Sequence, residues 1–130
     1  MATQEKSVVR TQAAPAPFQG APYSQAIRAG DFVFVSGQLG LRPGQGEFDG
    51  GIEEQTEQVF RNVGAILAEA GTSLDRIVKT TVFLADLADF PAMNEVYKSH
   101  VGDSPPARST VEISKLPSGA KVEIEAIAQL

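Results

Sequence analysis

At 130 residues, with 42% apolar and 21% charged side chains, the chain is long enough to bury one core and too short for two ordinary domains, and its composition is that of a soluble globular protein. The absence of cysteine excludes disulfides, a thiol nucleophile and a cysteine-bound metal, and it suits a reducing compartment, with the cytoplasm as the expected location. A net charge of −5, with an acidic run from Glu47 to Glu57 that contains no base, argues against a broad phosphate-binding face and so against nucleic acid as a partner.

The opening stretch MATQEKSVVRTQAAPAPFQG has no apolar centre flanked by basic residues, and no later run approaches a membrane span, so neither a signal peptide nor a membrane partner is expected. Its Pro, Ala and Gly content predicts an extended, turn-rich lead-in, with SVVRT as a possible edge strand. DFVFVSGQLGL is dense in β-branched and aromatic residues, and the glycine after Ser36 marks a bulge or sharp bend. RPGQGEFDGG reads as a loop, and the acidic run that overlaps it reads as a solvated helix start favoured by the helix dipole.

From Ile52 to Ala70 the apolar positions Val59, Phe60, Val63, Ile66 and Leu67 follow helical spacing, and Gly71 stands at the C-terminal cap. RIVKTTVFLA then predicts a strand. In DLADFPAMNEVYKSHVG, Phe90, Met93, Tyr97 and Val101 share a helical face, with Pro91 in the first turn. Two strands close the chain, ARSTVEIS and AKVEIEAIAQL, with KLPSG read as a hairpin between them. The expected order is β-β-α-β-α-β-β, a single α+β domain over residues 1–130 with two helices on one face of a mixed sheet. The opposite sheet face is left without a cover.

Strand alternation in the last segment sets Val122, Ile124, Ala126 and Ala128 against Glu123, Glu125, Ile127 and Gln129. In ARSTVEIS, Ser109, Val111 and Ile113 oppose Arg108, Thr110 and Glu112. If both apolar rows of the hairpin face one core, Arg108 shares its face with Glu123 and Glu125. That constellation is either a plain surface ion pair or an anion site, in which the arginine fork grips a carboxylate and a glutamate handles a proton. Alternation alone does not choose between them. Asn94 lies on the apolar face of the second helix, where a buried amide needs a partner; Ser36 and Gly37 form either a turn or a pair of exposed donors; Tyr23 reads first as packing. His100 has no companion at metal-ligand spacing and takes no role, so no metal is expected. No phosphate loop or serine triad motif is present.

PARSTVEISKLPSGAKVEIEAIA closely resembles the C-terminal signature of the reactive intermediate deaminase (Rid) family, also called YjgF/UK114. APYSQAI, VFVSGQLGL and VKTTVFLADLADFPAMNEVY follow the family's order and spacing, so the resemblance runs from about Ala14 to Ala128. It implies a chorismate-mutase-like fold with a six-stranded mixed sheet, a homotrimer with a barrel-like core, and ligand clefts between subunits. It also implies hydrolysis of enamines and imines such as 2-aminoacrylate, 2-iminopropanoate and 2-iminobutanoate to 2-oxo acids and ammonia, without a cofactor.

Carried over by motif, Arg108 clamps the substrate carboxylate and Glu123 serves the catalytic water. Tyr23, Ser36, Gly37, Asn94 and Thr110 match substrate-binding positions of the same cleft. Thr110 stands where many members have cysteine, and Ala21 where many have glycine, which bears on substrate preference more than on reaction type. The alternatives are a 2-oxo acid-binding regulator without turnover, against which Glu123 speaks, and an RNA-cleaving translation inhibitor, against which the acidic balance speaks.

Overall fold

The computed structural model describes residues 5–130, and the first four residues of the expected lead-in lie outside it. Eight regular elements follow in order: β1 (Ser7–Val9), β2 (Ala26–Ala29), β3 (Phe32–Leu39), α1 (Ile52–Ala70), β4 (Ile77–Leu84), α2 (Phe90–Val101), β5 (Ala107–Glu112) and β6 (Val122–Gln129). The strands form one six-stranded sheet in the order β1-β2-β3-β6-β4-β5. Only β4 and β5 pair in parallel, because α2 connects them as a crossover; the other neighbours are antiparallel.

Both helices form where periodicity predicts them. Val59, Phe60, Val63, Ile66, Leu67 and Ala70 of α1 are buried, and Gly71 ends the helix at φ 95°. On α2, Met93, Tyr97 and Val101 are buried, with Pro91 in the first turn. These side chains pack on Val33, Val35, Val82, Leu84, Val122, Ile124, Ala126 and Ala128, so the core is the layer between two helices and one sheet face. Fully burying each large apolar side chain contributes about 1.5–3 kcal/mol.

Strand β2 was not among the expected elements. AIRAGDFVFV forms a tight hairpin in which Ala29 pairs with Phe32 across Gly30 and Asp31, and Gly30 takes φ 58°. The Gly-Asp pair between apolar runs carries that turn chemistry, but the Pro-rich residues ahead of it dominate the local composition.

A second difference concerns the closing strands. KLPSG is not a hairpin, since β5 and β6 do not pair: β6 enters the middle of the sheet between β3 and β4, and β5 takes the edge beyond β4. The crossover through α2 claims β5 for β4, and the long apolar row of β6 gains more cover at the centre than at an edge. Pro117–Gly119 forms a short 3-10 turn instead.

Buried amides join the layers where no apolar contact can. Asn62 of α1 is 1% exposed and donates to the carbonyls of Leu39 and Leu41 at 3.0 and 2.8 Å, pinning the chain as it leaves β3. Gln55 accepts from the Lys121 N–H at 2.9 Å and donates to the Gly50 carbonyl at 3.2 Å, tying the start of α1 to the entry of β6. Replacing Asn62 with Ala leaves two sheltered carbonyls without their donor and is expected to cost about 2 kcal/mol, measured as a lower urea midpoint with an unchanged m-value.

Candidate functional site

A row of directly paired residues crosses the sheet through Ala26, Val35, Ala126, Thr80 and Arg108. Ala26, Val35, Ala126 and Thr80 are buried against the helices, so Arg108 projects to the helix side at the sheet edge. A second row runs through Leu39, Glu123, Phe83 and Val111 and lies on the open face. The expectation that Arg108 shares a face with Glu123 and Glu125 is therefore wrong within one chain. It rested on the β5–β6 hairpin and on Val111 facing the core, whereas Val111 is 42% exposed on the open face. Two strand spacings, about 10 Å, and the thickness of the sheet separate the two groups.

Arg108 stands in a side-chain cluster built by α2 and β5. Its guanidinium carbon lies 4.7 Å from the Tyr97 ring centroid and 5.3 Å from that of Phe90. Asn94, Tyr97, Val101, Pro105 and Arg108 line a groove of about 430 Å³. Among the described residues Asn94 Oδ1 is sheltered without a hydrogen-bond partner, and so is Thr110 Oγ1, two residues further along the same face of β5 as Arg108. Among the described residues no carboxylate pairs with Arg108. The surface ion pair is thus absent, and the five N–H donors of the fork remain available in its plane.

Glu123 belongs to a different cluster, on the open face at the β3 bulge. Val35 pairs with Ala126 and Gln38 with Ile124, so Ser36 and Gly37 together oppose Glu125. Gly37 permits a close approach: a Cβ there would fall 2.0 Å from Glu123 Oε2. Burial, and then the charge of Glu125, push the Glu123 carboxyl above its ordinary value of 4.5. Ser36 donates through Oγ to the Ser24 carbonyl at 2.6 Å, anchoring the bulge to the lead-in. Tyr23 accepts from the Phe18 N–H at 2.6 Å, and with Gly37, Leu39 and Leu41 it lines a shallow pocket.

The candidate residues thus fall into two groups, Asn94, Arg108 and Thr110 on one side and Tyr23, Ser36, Gly37 and Glu123 on the other. Phe90 and Tyr97 flank Arg108 directly, yet their helical spacing reads as core, and Tyr97 is indeed 5% exposed. His100 lies face to face with Phe60, ring centroids 4.7 Å apart, and beside the Glu57 carboxylate, so it serves helix packing. Of the acidic run, Glu53 and Glu54 are exposed in the first turn of α1, as expected, whereas Glu47 and Asp49 are exposed in the loop before it, with Asp49 paired to Arg42, and Glu57 is partly buried beside His100.

A family profile described as Endoribonuclease L-PSP matches residues 11–130. A RutC family protein of Pyrococcus abyssi is 52% identical over 95% of this chain and 96% of its own length. The 2-iminobutanoate/2-iminopropanoate deaminase of Mus musculus is 44% identical over 95% of this chain and 90% of its own. The crystal structure of Escherichia coli TdcF with bound serine superposes with a TM-score of 0.88 at 41% identity, covering 95% of this chain and 98% of that one. A two-helix, six-stranded α+β chain with these two clusters belongs to the Rid family, the YjgF or L-PSP family of that profile. Among the described residues no helix is long and apolar enough to cross a membrane.

Placing Ala at Gly37 is expected to displace the Glu123 carboxylate while sparing the fold, because the clash is with the far end of a flexible side chain. The displaced and better-solvated carboxyl should titrate closer to its ordinary 4.5, read by NMR, with a thermal midpoint close to that of the wild type.

Proposed function

We propose that the protein hydrolyses 2-imino acids, among them 2-iminopropanoate, 2-iminobutanoate and the tautomers of 2-aminoacrylate, to 2-oxo acids and ammonia in clefts shared between subunits of a homotrimer. The observation that carries this reading is the pair of half-sites: a carboxylate-seeking arginine without a protein partner, and a partly buried glutamate with a raised pKa, on opposite faces of one sheet. One chain cannot apply both to one small molecule. A second copy whose helix-side edge meets the open face of the first can.

The open face is built for such a contact. Val8, Ile27, Phe34 and Ile127 form one paired row across it, and Phe34 and Val8 are 44% and 45% exposed. An apolar sheet face of this kind is normally covered.

In the cleft, Arg108 of one subunit binds the substrate carboxylate through two parallel hydrogen bonds. Glu123 of its neighbour accepts a proton from water as the oxygen bonds to C2 of the protonated imine. The same carboxyl then gives that proton to the nitrogen of the tetrahedral intermediate. The C–N bond breaks, ammonia departs, and the C2 hydroxyl loses its proton to become the 2-oxo group. A raised carboxyl pKa favours this return of the proton. Asn94 and Thr110 supply unpaired polar atoms beside the carboxylate, while Tyr23, Ser36 and Gly37 shape the wall around Glu123. Serine bound to the related TdcF is an amino acid of matching size and charge, and the mouse relative carries the proposed activity in its name. The net charge of −5 offers little support to RNA cleavage.

The test is to generate 2-aminoacrylate in place with a serine dehydratase and follow 2-oxo acid release. Glu123→Gln is expected to lose about 10²-fold or more in kcat, and Arg108→Ala about 10²-fold in kcat/KM through KM. Co-refolding the two variants in equal amounts should return about one quarter of wild-type activity, because clefts pairing an intact Arg108 with an intact Glu123 re-form only when the groups come from different subunits. Failure to complement would place both groups in one subunit and refute the shared cleft. No acceleration by the wild type would refute the activity itself. Independently, Phe34→Asp is expected to break the assembly, read by light scattering as a mass of about one third.

A further inference from the structure

Around Arg108 the structure shows more than a free cation. The guanidinium carbon lies over both the Tyr97 ring, at 4.7 Å, and the Phe90 ring, at 5.3 Å, the two rings coming from the start and the later turns of α2. The Tyr97 hydroxyl is within 2.6 Å of Thr80 Oγ1, and Thr80 is the β4 residue paired directly with Arg108 across the parallel ladder. Phe60 backs Tyr97 edge-on, with centroids 5.4 Å apart and planes at 80°. Thr80 and Phe60 are each 1% exposed. The Tyr97 ring is therefore held from behind by α1 and from the side by β4, the strand paired with the arginine's own.

We infer that Phe90, Tyr97 and Thr80 are positioning residues that set the carboxylate affinity of Arg108, forming an aromatic shelf locked to β4 by the Tyr97–Thr80 hydrogen bond. This rests on the proposed role of Arg108 as the carboxylate clamp. The physical argument is one of orthogonal directions. A guanidinium donates its hydrogen bonds in its own plane, whereas an aromatic ring attracts it through its face. The shelf meets Arg108 with ring faces at 4.7 and 5.3 Å, removes water from that side and restricts a side chain that otherwise samples many rotamers, and it offers no oxygen to any of the five N–H donors. An acidic partner would hold the arginine as firmly but would occupy the fork that the substrate needs.

The shelf acts on binding rather than on bond making. The carboxylate that Arg108 grips is the same in the imine, the tetrahedral intermediate and the 2-oxo acid, so a weaker grip raises KM and the dissociation constant of the product together and leaves kcat nearly unchanged. Damage to the fold has the opposite signature, since a smaller active fraction lowers kcat at constant KM.

The experiment measures the dissociation constant of 2-oxobutanoate by calorimetry, with kcat and KM for imine hydrolysis, in wild type, Tyr97→Leu, Tyr97→Phe, Phe90→Leu, Thr80→Val and Arg108→Ala. Tyr97→Leu is expected to weaken 2-oxobutanoate binding about tenfold and Phe90→Leu about threefold, while Tyr97→Phe, which keeps the ring and loses only the lock, weakens it about threefold. Thr80→Val, which removes the lock but keeps the shape, should match Tyr97→Phe. An assembled Tyr97→Leu protein with an unchanged dissociation constant, or one that loses kcat at constant KM, overturns the shelf. Should Tyr97→Leu fail to fold, Phe90→Leu decides on the same readings, because Phe90 is only partly buried. If Arg108→Ala binds 2-oxobutanoate as wild type does, the carboxylate clamp itself falls and the shelf with it. If Arg108→Ala loses binding while both leucine variants keep it, the shelf alone falls.

Discussion

A strand can present a side chain to only one of two sheet faces, and in this chain the helices cover only one of them. Everything about the site depends on that constraint acting at β6, the strand at the centre of the sheet. Its even-numbered residues fill the core under α1 and α2, which forces Glu123 and Glu125 onto the uncovered face. The parallel crossover through α2 sets the parity of β5 independently and turns Arg108 toward the helices. Arg108 and Glu123 are thereby kept apart by the thickness of one sheet. The proposed division of the site between subunits rests on this parity rather than on any feature of the ligand.

The bulge in β3 is the second consequence. Opposite Glu125 the strand carries one residue more than β6 does, which flips its alternation between Val35 and Gln38 so that both face the core. The extra residue leaves a backbone surface without a Cβ under the Glu123 carboxylate. A glutamate lying on bare backbone loses water on one side, and the neighbouring Glu125 adds repulsion. Both effects favour the protonated form. The irregularity in the strand and the altered acidity are thus one feature seen twice.

The helix side shows how an arginine is held without an acidic partner among the described residues. Arg108 has aromatic faces where an ion pair would be the ordinary solution, and the hydroxyl that fixes the aromatic ring comes from the adjacent strand. Unpaired polar atoms of Asn94 and Thr110 lie close by. Partnerless polar groups cost stability in a chain that has no ligand, and they belong where a ligand repays that cost.

Much of this was legible in the residues themselves. Helical spacing located α1 and α2 with their end signals, alternation in VEIEAIA sorted the two faces of β6, and the glycine of VSGQ marked the bulge, because each of these is a local property of the chain with its own period or turn chemistry. The motifs also singled out Arg108 and Glu123. What the residues could not determine was which strand lies beside which. The closing strands are consecutive and linked by a short turn, so a hairpin is the local expectation, and it places Arg108 and Glu123 on one face. Only the tertiary structure decides otherwise, because pairing of β5 with β4 depends on the α2 crossover and insertion of β6 depends on burying its apolar row from both sides. Those are contacts between residues far apart in the chain, and a change of neighbour reverses the face of every side chain on a strand without altering a single residue.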